Sequence, residues 1–279
     1  MIPNIFHFVF GMAPDFGGKP FGLSHYLAIK SAADVNKPDI IYFHYEFEPG
    51  GEWWEKAKPL LTLKQVKAPG HIHGNPLCHV AHKADVIRLQ ALKEYGGVYL
   101  DLDTICVKPL LPLFNNSFVI GKELKAPYTP KNWRQQIKYP LKKLFSPKMH
   151  KTVTGLANAV LLSEKESFFV SHWLSTYTSF RSKGRDKYWN EHSVVIPSKL
   201  AAAFPDKVTL LDPYAFHYPL YTEAGLKQLF EEVHQFPQAY LHHLWDSFSG
   251  EKYLNQLTPE SIFAKDTSYN LIARRFLTQ

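Results

Sequence analysis

Cysteine is scarce in this chain, and that scarcity excludes two kinds of small stabilised domain. The 279 residues include two cysteines, Cys78 and Cys106. Two cysteines do not make the framework of a disulfide-rich secreted domain, and neither has the spacing of zinc ligands. We therefore expect both to be reduced residues of the core.

Long apolar runs and a signal sequence are also lacking. No segment approaches the roughly 18 consecutive apolar residues that a membrane-spanning helix needs. The opening segment, MIPNIFHFVF, has no basic region and is interrupted by Pro3, Asn4 and His7, unlike a secretory signal peptide. Internal repeats, low-complexity tracts and linker-like runs are missing as well. These observations predict a cytoplasmic protein.

Acidic residues are scarce in one segment, which accounts for the basic character of the whole chain. Residues 122–151 carry nine lysines and arginines against one acid, Glu123, for a net charge of +8, whereas the whole chain has +7 and the remainder −1. Three interpretations are open: peripheral contact with an anionic membrane, capture of an anionic acceptor or nucleic acid, and a solvated loop or lid over an active site. No RNA-binding signature is present, so we expect no nucleic-acid partner.

The residues that are plentiful indicate an α/β domain. Hydrophobic residues make up 45% of the chain and aromatic residues 15%, enough to bury a sizeable core in one domain of this length. Apolar runs predict strands at Ile2–Phe10, Asp39–Tyr45 and Leu61–Val66, with helices between them at Ser24–Val35 and Glu52–Ala57. This alternation favours a Rossmann-like, mainly parallel sheet flanked by helices.

The most informative stretch runs from His82 to Leu110. Apolar residues recur there at helical spacing, Gly96-Gly97 ends the predicted helix, and a short strand leads directly into Asp101 and Asp103. Ligands bind at the carboxyl ends of strands in open α/β sheets, and two carboxylates there suit a hard divalent cation such as Mg²⁺ or Mn²⁺. The alternative is that the two aspartates only cap a turn.

The preceding helix places Asp85 and Arg88 on one face, either as functional residues or as a surface ion pair. Here the chain resembles the DXD-containing sugar transferases of glycosyltransferase family 32, which are distantly related to the clostridial glucosylating toxins. The residues that carry the resemblance are Ala84-Asp85-Val86-Ile87-Arg88, Leu92, Gly96-Gly97, Tyr99, Asp101 and Asp103. The resemblance implies one GT-A type domain over 1–279, with a nucleotide-sugar half at 1–121, the basic insert at 122–151 and an acceptor half at 152–279.

Several donor contacts follow from the resemblance. The aromatic residue that ends the first strand stacks on the nucleotide base in the toxins, and Phe10 occupies that position, with Phe8, Val9 and Gly11 beside it. Phe keeps a ring face able to stack, although both phenylalanines could belong to the core, and for Phe8 we favour the core. Tyr99 and Asp101 would contribute to the same nucleotide site.

The segment from Ala239 to Gly250 resembles the family's strand followed by H-x-W. In relatives the histidine completes the metal shell, and its spacing to Trp245 favours His243 over His242. Trp245 and Ser249 are then expected to donate hydrogen bonds to the diphosphate. An imidazole ligand makes Mn²⁺ the expected metal ahead of Mg²⁺.

The resemblance also implies roles in sugar transfer. Asp85, Arg88 and Asn158 would contact the donor sugar, and Glu191 would contact the acceptor hydroxyl unless it only stabilises the start of a helix. We expect retaining transfer of a hexose, from UDP-sugar in first place, to a hydroxyl of a surface glycan or lipid-linked glycan. The expected source is a bacterium, because eukaryotic relatives usually carry a membrane anchor.

Three other functions deserve comparison with this expectation. A toxin-like transferase would glycosylate a host protein, and a degenerate transferase would bind sugar nucleotide without turnover. A nucleotidyltransferase would need a glycine-rich first loop, which Gly17-Gly18-Lys19 matches weakly.

The four histidines at 71, 73, 79 and 82 are numerous enough to suggest zinc, but their spacing fits no common zinc module, so we do not expect zinc there.

Overall fold

A computed structural model of the chain describes residues 1–124 and 153–277. The strands are β1 Ile5–Val9, β2 Ile40–Tyr45, β3 Thr62–Gln65, β4 His71–Ile72, β5 Asn75–Pro76, β6 Gly97–Leu100, β7 Thr104–Cys106, β8 Phe118–Leu124, β9 Val153–Ser163, β10 Thr209–Leu211 and β11 Leu241–His243. The α-helices are α1 Leu23–Asn36, α2 Glu52–Ala57, α3 Val80–Tyr95, α4 Phe168–Ser175, α5 Ile196–Ala203, α6 Glu223–Phe230, α7 Asp246–Ser249, α8 Pro259–Ala264 and α9 Ser268–Ala273.

The main sheet has seven strands in the order β10-β8-β9-β6-β1-β2-β3. Four of its strand pairs are parallel, and β9 pairs antiparallel with both β8 and β6. The expected α/β class with a mainly parallel sheet is therefore confirmed. The antiparallel β9 strand lies at the centre, where it places Asn158 beside the end of β6.

Apolar side chains alternate between the two faces of this sheet, as strand geometry requires. Phe6 and Phe8 of β1 face one core together with α1 and α2. Tyr99 of β6 faces the other core, formed with α3 and α4. Phe8 is fully buried, so the core assignment favoured for it is confirmed.

A separate two-stranded antiparallel ribbon, β7 with β11, lies at the carboxyl end of the main sheet. Its register pairs His243 with Thr104 and Leu241 with Cys106. A third apolar cluster, which includes Ile105 and Leu244, packs the ribbon against the first turns of α1 and the C-terminal helices. The ribbon is what joins the end of β6 to residues far along the chain.

The cysteine expectation was half right. Cys106 is buried in the first core, but Cys78 is exposed, which corrects its assignment to the core. Cys78 lies in the connection between β5 and α3. No helix within the described ranges is long and apolar enough to cross a membrane.

Candidate active site

Two glycines set the path of the chain into the site. Gly96 ends α3 with a φ of 70°, and Gly97 begins β6 with a φ of 101°. A Cβ on Gly97 would lie 2.2 Å from the carbonyl oxygen of Ile5, so a side chain there would prevent β6 from pairing with β1. The two glycines therefore allow β6 to enter the sheet and end at Leu100, which leaves Asp101 and Asp103 in the following turn.

Hydrogen bonds hold that turn in place. The Asp101 N–H donates to Ala159 O at 2.8 Å, and the Thr104 hydroxyl donates to Asp101 O at 2.8 Å. From the ribbon, the Leu244 N–H donates to Asp103 O at 2.7 Å and the Asp246 N–H donates to Asp103 Oδ2 at 2.8 Å. Contacts from two distant parts of the chain thus fix the backbone of this turn, and the Asp246 N–H also holds the Asp103 carboxylate.

The ribbon also brings a histidine to the aspartates. His243 Nε2 lies 3.2 Å from Asp103 Oδ2, and one ligand atom from each of Asp101, Asp103 and His243 lies within 4.8 Å of the others. His242 points to the opposite side of β11, where its Nδ1 hydrogen-bonds with Tyr218 O at 3.0 Å. The structure therefore places His243, and not His242, beside the aspartates.

The electrostatics of the three side chains reflect this proximity. Burial opposes ionisation of Asp103, but His243 and the Asp246 N–H outweigh burial and hold the pKa of this carboxyl well below its usual range. Burial raises the pKa of Asp101 against the opposing charge of Arg88. Burial alone would lower the pKa of His243, yet the charge of Asp103 more than offsets it and the net shift is upward.

These residues fit a divalent metal ion. Two carboxylates and an imidazole are acceptable ligands for Mn²⁺, and all three side chains are partly accessible, with 27%, 18% and 11% of Asp101, Asp103 and His243 exposed. His243 turns Nε2 toward Asp103, while its Nδ1 is buried without a hydrogen-bond partner. A bound cation would replace the proton that the carboxylates favour on His243.

A buried network connects Asp101 to the helix behind it. Arg88 Nη1 lies 3.2 Å from Asp101 Oδ1 and donates to Asn158 O at 2.8 Å, while its Nη2 lies 3.2 Å from Asp85 Oδ1. The Asn158 amide donates to the same Asp85 oxygen at 2.8 Å, and the Tyr99 hydroxyl donates to Asp101 Oδ1 at 2.5 Å. Asp85 and Arg88 are only 6% and 5% exposed, which excludes the surface ion pair.

The residues expected to contact the nucleotide base are largely covered by other parts of the protein. Phe8 and Val9 are buried, and Gly11 has a φ of 67° with Phe47 O 2.2 Å from where a Cβ would be. Phe10 is half-buried, and the ring of Phe16 stacks on it with centroids 5.6 Å apart and planes 10° apart. The face expected for a base is therefore occupied by Phe16, a non-glycine residue with a φ of 53°.

Trp245 and Ser249, which were expected to donate hydrogen bonds to the diphosphate, donate to backbone carbonyls in this structure. The Trp245 indole N–H donates to Pro219 O at 2.8 Å, and the ring packs on His243 with centroids 4.1 Å apart. The Ser249 hydroxyl is fully buried and donates to Leu244 O at 2.6 Å. In this structure both residues shape the metal-site loop, and neither offers a hydrogen to a phosphate.

The structure does not bring Glu191 to this group. Its carboxylate accepts two hydrogen bonds from Arg181, at 2.9 and 2.6 Å, at the start of a π-helical turn, Glu191–Val195. The neighbouring His192 is close enough to the site to interact electrostatically with Asp85. Most of the basic segment 122–151 lies outside the described residues, so its three interpretations stay as stated.

Sequence reasoning missed three charged residues near the site. Glu123 ends β8 close enough to interact with His243, and its side chain forms no hydrogen bond or ion pair with any described residue. Burial raises the pKa of Glu123. Lys19, from the loop after β1, pairs with Asp246 next to the metal-site turn. The sequence gave one signal, since Glu123 is the lone acid of a basic segment.

Among residues 1–124 and 153–277, Asp101, Asp103 and His243 form the group able to hold a metal ion. The histidines considered for zinc are not part of it. His79 accepts from the Ala81 N–H at the start of α3, and His82 packs against Trp189 with ring centroids 4.7 Å apart.

Comparison with known proteins gives a consistent result. A family model described as a glycosyltransferase sugar-binding region containing a DXD motif matches residues 25–123. Glucan organizing enzyme 1 of Cryptococcus neoformans var. grubii is 36% identical over 283 residues, covering 99% of this chain and 71% of that protein. An uncharacterized glycosyltransferase of Acanthamoeba polyphaga mimivirus is 29% identical over 111 residues, 39% of each chain.

Solved glycosyltransferase structures are also similar, at low identity. Apo mouse xyloside xylosyltransferase 1 is 15% identical with a TM-score of 0.48, over 89% of this chain and 99% of that chain. Apo GlyE of Streptococcus pneumoniae TIGR4 is 13% identical with a TM-score of 0.47, over 98% of this chain and 60% of that chain.

Proposed function

Since the chain belongs to the glycosyltransferases whose sugar-binding region contains a DXD motif, we propose that it is a metal-dependent, retaining hexosyltransferase. The donor is a nucleotide-diphosphate sugar, UDP-hexose in first place, and the acceptor is a glycan hydroxyl. The observation that carries the proposal is the convergence of Asp101, Asp103 and His243 at the end of β6. A metal there, Mn²⁺ ahead of Mg²⁺, would neutralise charge on the departing diphosphate.

The nucleotide would bind across the loop that follows β1. Phe10 and Phe16 already form an aromatic stack, and a base extends it either on the outer face of Phe16 or in place of Phe16. Lys19 would bind the diphosphate in exchange for its present partner, Asp246. In this proposal Lys19 binds the diphosphate in place of Trp245 and Ser249, which were first expected to donate hydrogen bonds to it.

The sugar would lie against the buried network. Arg88 and Asn158 both contact Asp85 Oδ1, and the proposed role of the other Asp85 oxygen is to accept a hydrogen bond from a sugar hydroxyl. Arg88 is surrounded by Asp85, Asp101 and the Asn158 carbonyl, so its role is to hold these groups in register. Its charge also opposes the rise that burial causes in the pKa of Asp101.

Transfer with retention then needs few protein groups. The acceptor hydroxyl oxygen forms a bond to the anomeric carbon on the face that the diphosphate leaves, while the bond from that carbon to the phosphate oxygen breaks. The departing phosphate oxygen takes the hydroxyl proton, which balances the step. Glu123 lies near His243 and forms no hydrogen bond or ion pair within the described part of the chain, and its proposed role is to accept a hydrogen bond from the acceptor.

A glucan is the acceptor best supported, because glucan organizing enzyme 1 is the relative that matches 99% of the chain. The broader class is a surface glycan, free or lipid-linked. The family match and the group of Asp101, Asp103 and His243 support sugar transfer over a nucleotidyltransferase.

Calorimetric titration with UDP, GDP and their hexose derivatives, with and without Mn²⁺, tests the proposal. We expect one nucleotide to bind only when the metal is present, and the matching sugar nucleotide to be hydrolysed slowly without acceptor. The variant Asp101→Asn/Asp103→Asn should lose both. Binding that is indifferent to metal and to this variant would contradict the proposal.

A further inference from the structure

His217 is a buried histidine whose position has no local explanation. It follows β10 in the segment Phe216-His217-Tyr218-Pro219, and none of its side chain is exposed. Its ring fits against Gly121 of β8, where a Cβ would lie 2.9 Å from His217 Cδ2 and 3.0 Å from its Nε2. The glycine therefore provides the space that the imidazole fills.

Both ring nitrogens of His217 are buried, and neither has a hydrogen-bond partner among the residues that the structure describes. A neutral imidazole carries one donor and one acceptor. A buried polar group without a partner destabilises the fold, and an apolar residue of similar size would avoid that penalty. A histidine in this place calls for a functional reason.

The neighbouring ring supplies one. His243 lies with its ring centroid 5.7 Å from that of His217, at an interplanar angle of 76°. His243 Nε2 faces Asp103, and its Nδ1 is the third buried nitrogen of this cluster without a partner. A metal-binding imidazole holds its lone pair on the ligating nitrogen only if the other nitrogen carries the proton, and a hydrogen bond from that nitrogen fixes the arrangement.

We infer that His217 is a positioning residue for the metal ligand His243, and that in the metal-bound protein it accepts a hydrogen bond from His243 Nδ1 after a small rotation of the rings or through one bridging water. The contact keeps the His243 proton on Nδ1 and turns the Nε2 lone pair toward the ion that Asp101 and Asp103 share. The inference rests on the proposed function, because it assumes a metal at that site.

Two variants probe it from opposite sides of the contact. His217→Leu removes the acceptor, and Gly121→Ala leaves His217 in place but pushes its ring away. Mn²⁺ affinity, measured on the full chain by electron paramagnetic resonance of free Mn²⁺, should fall about 10- to 100-fold in both. His217→Gln keeps an acceptor and should recover part of the loss.

A merely structural role for His217 predicts that metal-free His217→Leu melts below the wild type. The inferred positioning role predicts the opposite. The melting temperature of metal-free His217→Leu should equal or exceed that of the wild type, because two unpartnered polar atoms are removed. His242→Leu is the matched control, since His242 is the adjacent buried histidine of β11 with its Nδ1 bonded to Tyr218 O. It should bind Mn²⁺ within about twofold of wild type even if it melts earlier.

The outcomes separate the two proposals. Wild-type Mn²⁺ affinity in folded His217→Leu would overturn the role of His217 and leave the proposed function intact. A wild-type protein that binds no Mn²⁺ would overturn both. Weaker Mn²⁺ binding in His217→Leu, together with an unchanged or higher melting temperature, supports the inference.

Discussion

His243 Nε2 lies 3.2 Å from Asp103 Oδ2, and this contact joins the last described strand to the turn after β6. Backbone bonds from Leu244 and Asp246 to Asp103 accompany it, so the ribbon cannot shift without moving the proposed metal ligands. The C-terminal part of the chain is thereby a component of the site and not only a support for it. This arrangement makes the ligand set open to direct test.

Asp103→Asn should lower Mn²⁺ affinity and turnover together, by about a hundredfold or more. The amide keeps the size of the side chain but removes the charge that the metal and His243 share. Measurement of Mn²⁺ binding and of donor hydrolysis on the same preparation checks this. Asp34→Asn, at an exposed aspartate of α1 paired with Lys30, is the control, and equal losses in the two variants would refute the assignment.

Arg88→Met should destabilise the fold strongly. Its removal leaves Asp85 and Asp101 buried near each other without a cation, which costs about 3–5 kcal/mol in comparable buried pairs. The free energy of unfolding in urea, measured at pH 7, gives the effect. Arg181→Met is the matched control, because its two bonds to Glu191 are at the surface and such pairs contribute about 1 kcal/mol or less. If both variants lose the same free energy of unfolding, Arg88 does not stabilise the fold by pairing with Asp85 and Asp101.

Acid should destabilise the protein through a buried histidine pair. His7 Nε2 hydrogen-bonds with Gly96 O at 2.8 Å and its Nδ1 with His44 Nε2 at 3.2 Å. Since Gly96 O can only accept, His7 donates from Nε2 and accepts from His44, and both rings are neutral. Burial lowers the pKa of His7 to about 4 and of His44 to about 3.

The direction of the pH effect follows from these values. An unfolded chain protonates both rings below pH about 6.5, whereas the folded protein does not, so stability present above pH 6.5 is lost as the pH falls toward 4. Protonation of the two rings in the unfolded chain lowers the free energy of unfolding by about 3 kcal/mol between pH 6.5 and 5. Urea unfolding across this range should show a smaller loss in His7→Phe/His44→Phe than in wild type. An unchanged pH dependence would mean that the pair is not neutral in the folded state.

Much of this fold could be predicted from local patterns. Helix α2 has the predicted bounds, α1 and β3 differ from the prediction by one residue at each end, and β2 begins one residue later than predicted. Asp101 and Asp103 were identified because a glycine stop, a short apolar strand and two carboxylates follow one another directly. These features depend on neighbours in sequence, and so the sequence displays them.

The remaining features depend on distant pairing. Glu123 reaches the site because β8 pairs with β9 through two register shifts, and no local pattern encodes that irregularity. The covering of Phe10 by Phe16 depends on positive φ angles in the intervening loop. Trp245 and Ser249 were expected as phosphate donors, but their hydrogens are taken by carbonyls that only the folded loop brings close.

Lys19→Met should weaken nucleotide-diphosphate binding without preventing metal binding. In the donor-free protein Lys19 pairs with Asp246, whose N–H contacts Asp103, so the ammonium is beside the place proposed for the diphosphate. Loss of one charge-assisted contact of about 1.5–3 kcal/mol lowers UDP affinity about 10- to 100-fold. Salt should weaken UDP binding less in the variant than in wild type, because screening acts on this contact. Lys30→Met, at a lysine of α1 paired with Asp34, should leave both quantities unchanged, and equal UDP affinity in Lys19→Met and Lys30→Met would remove Lys19 from the donor site.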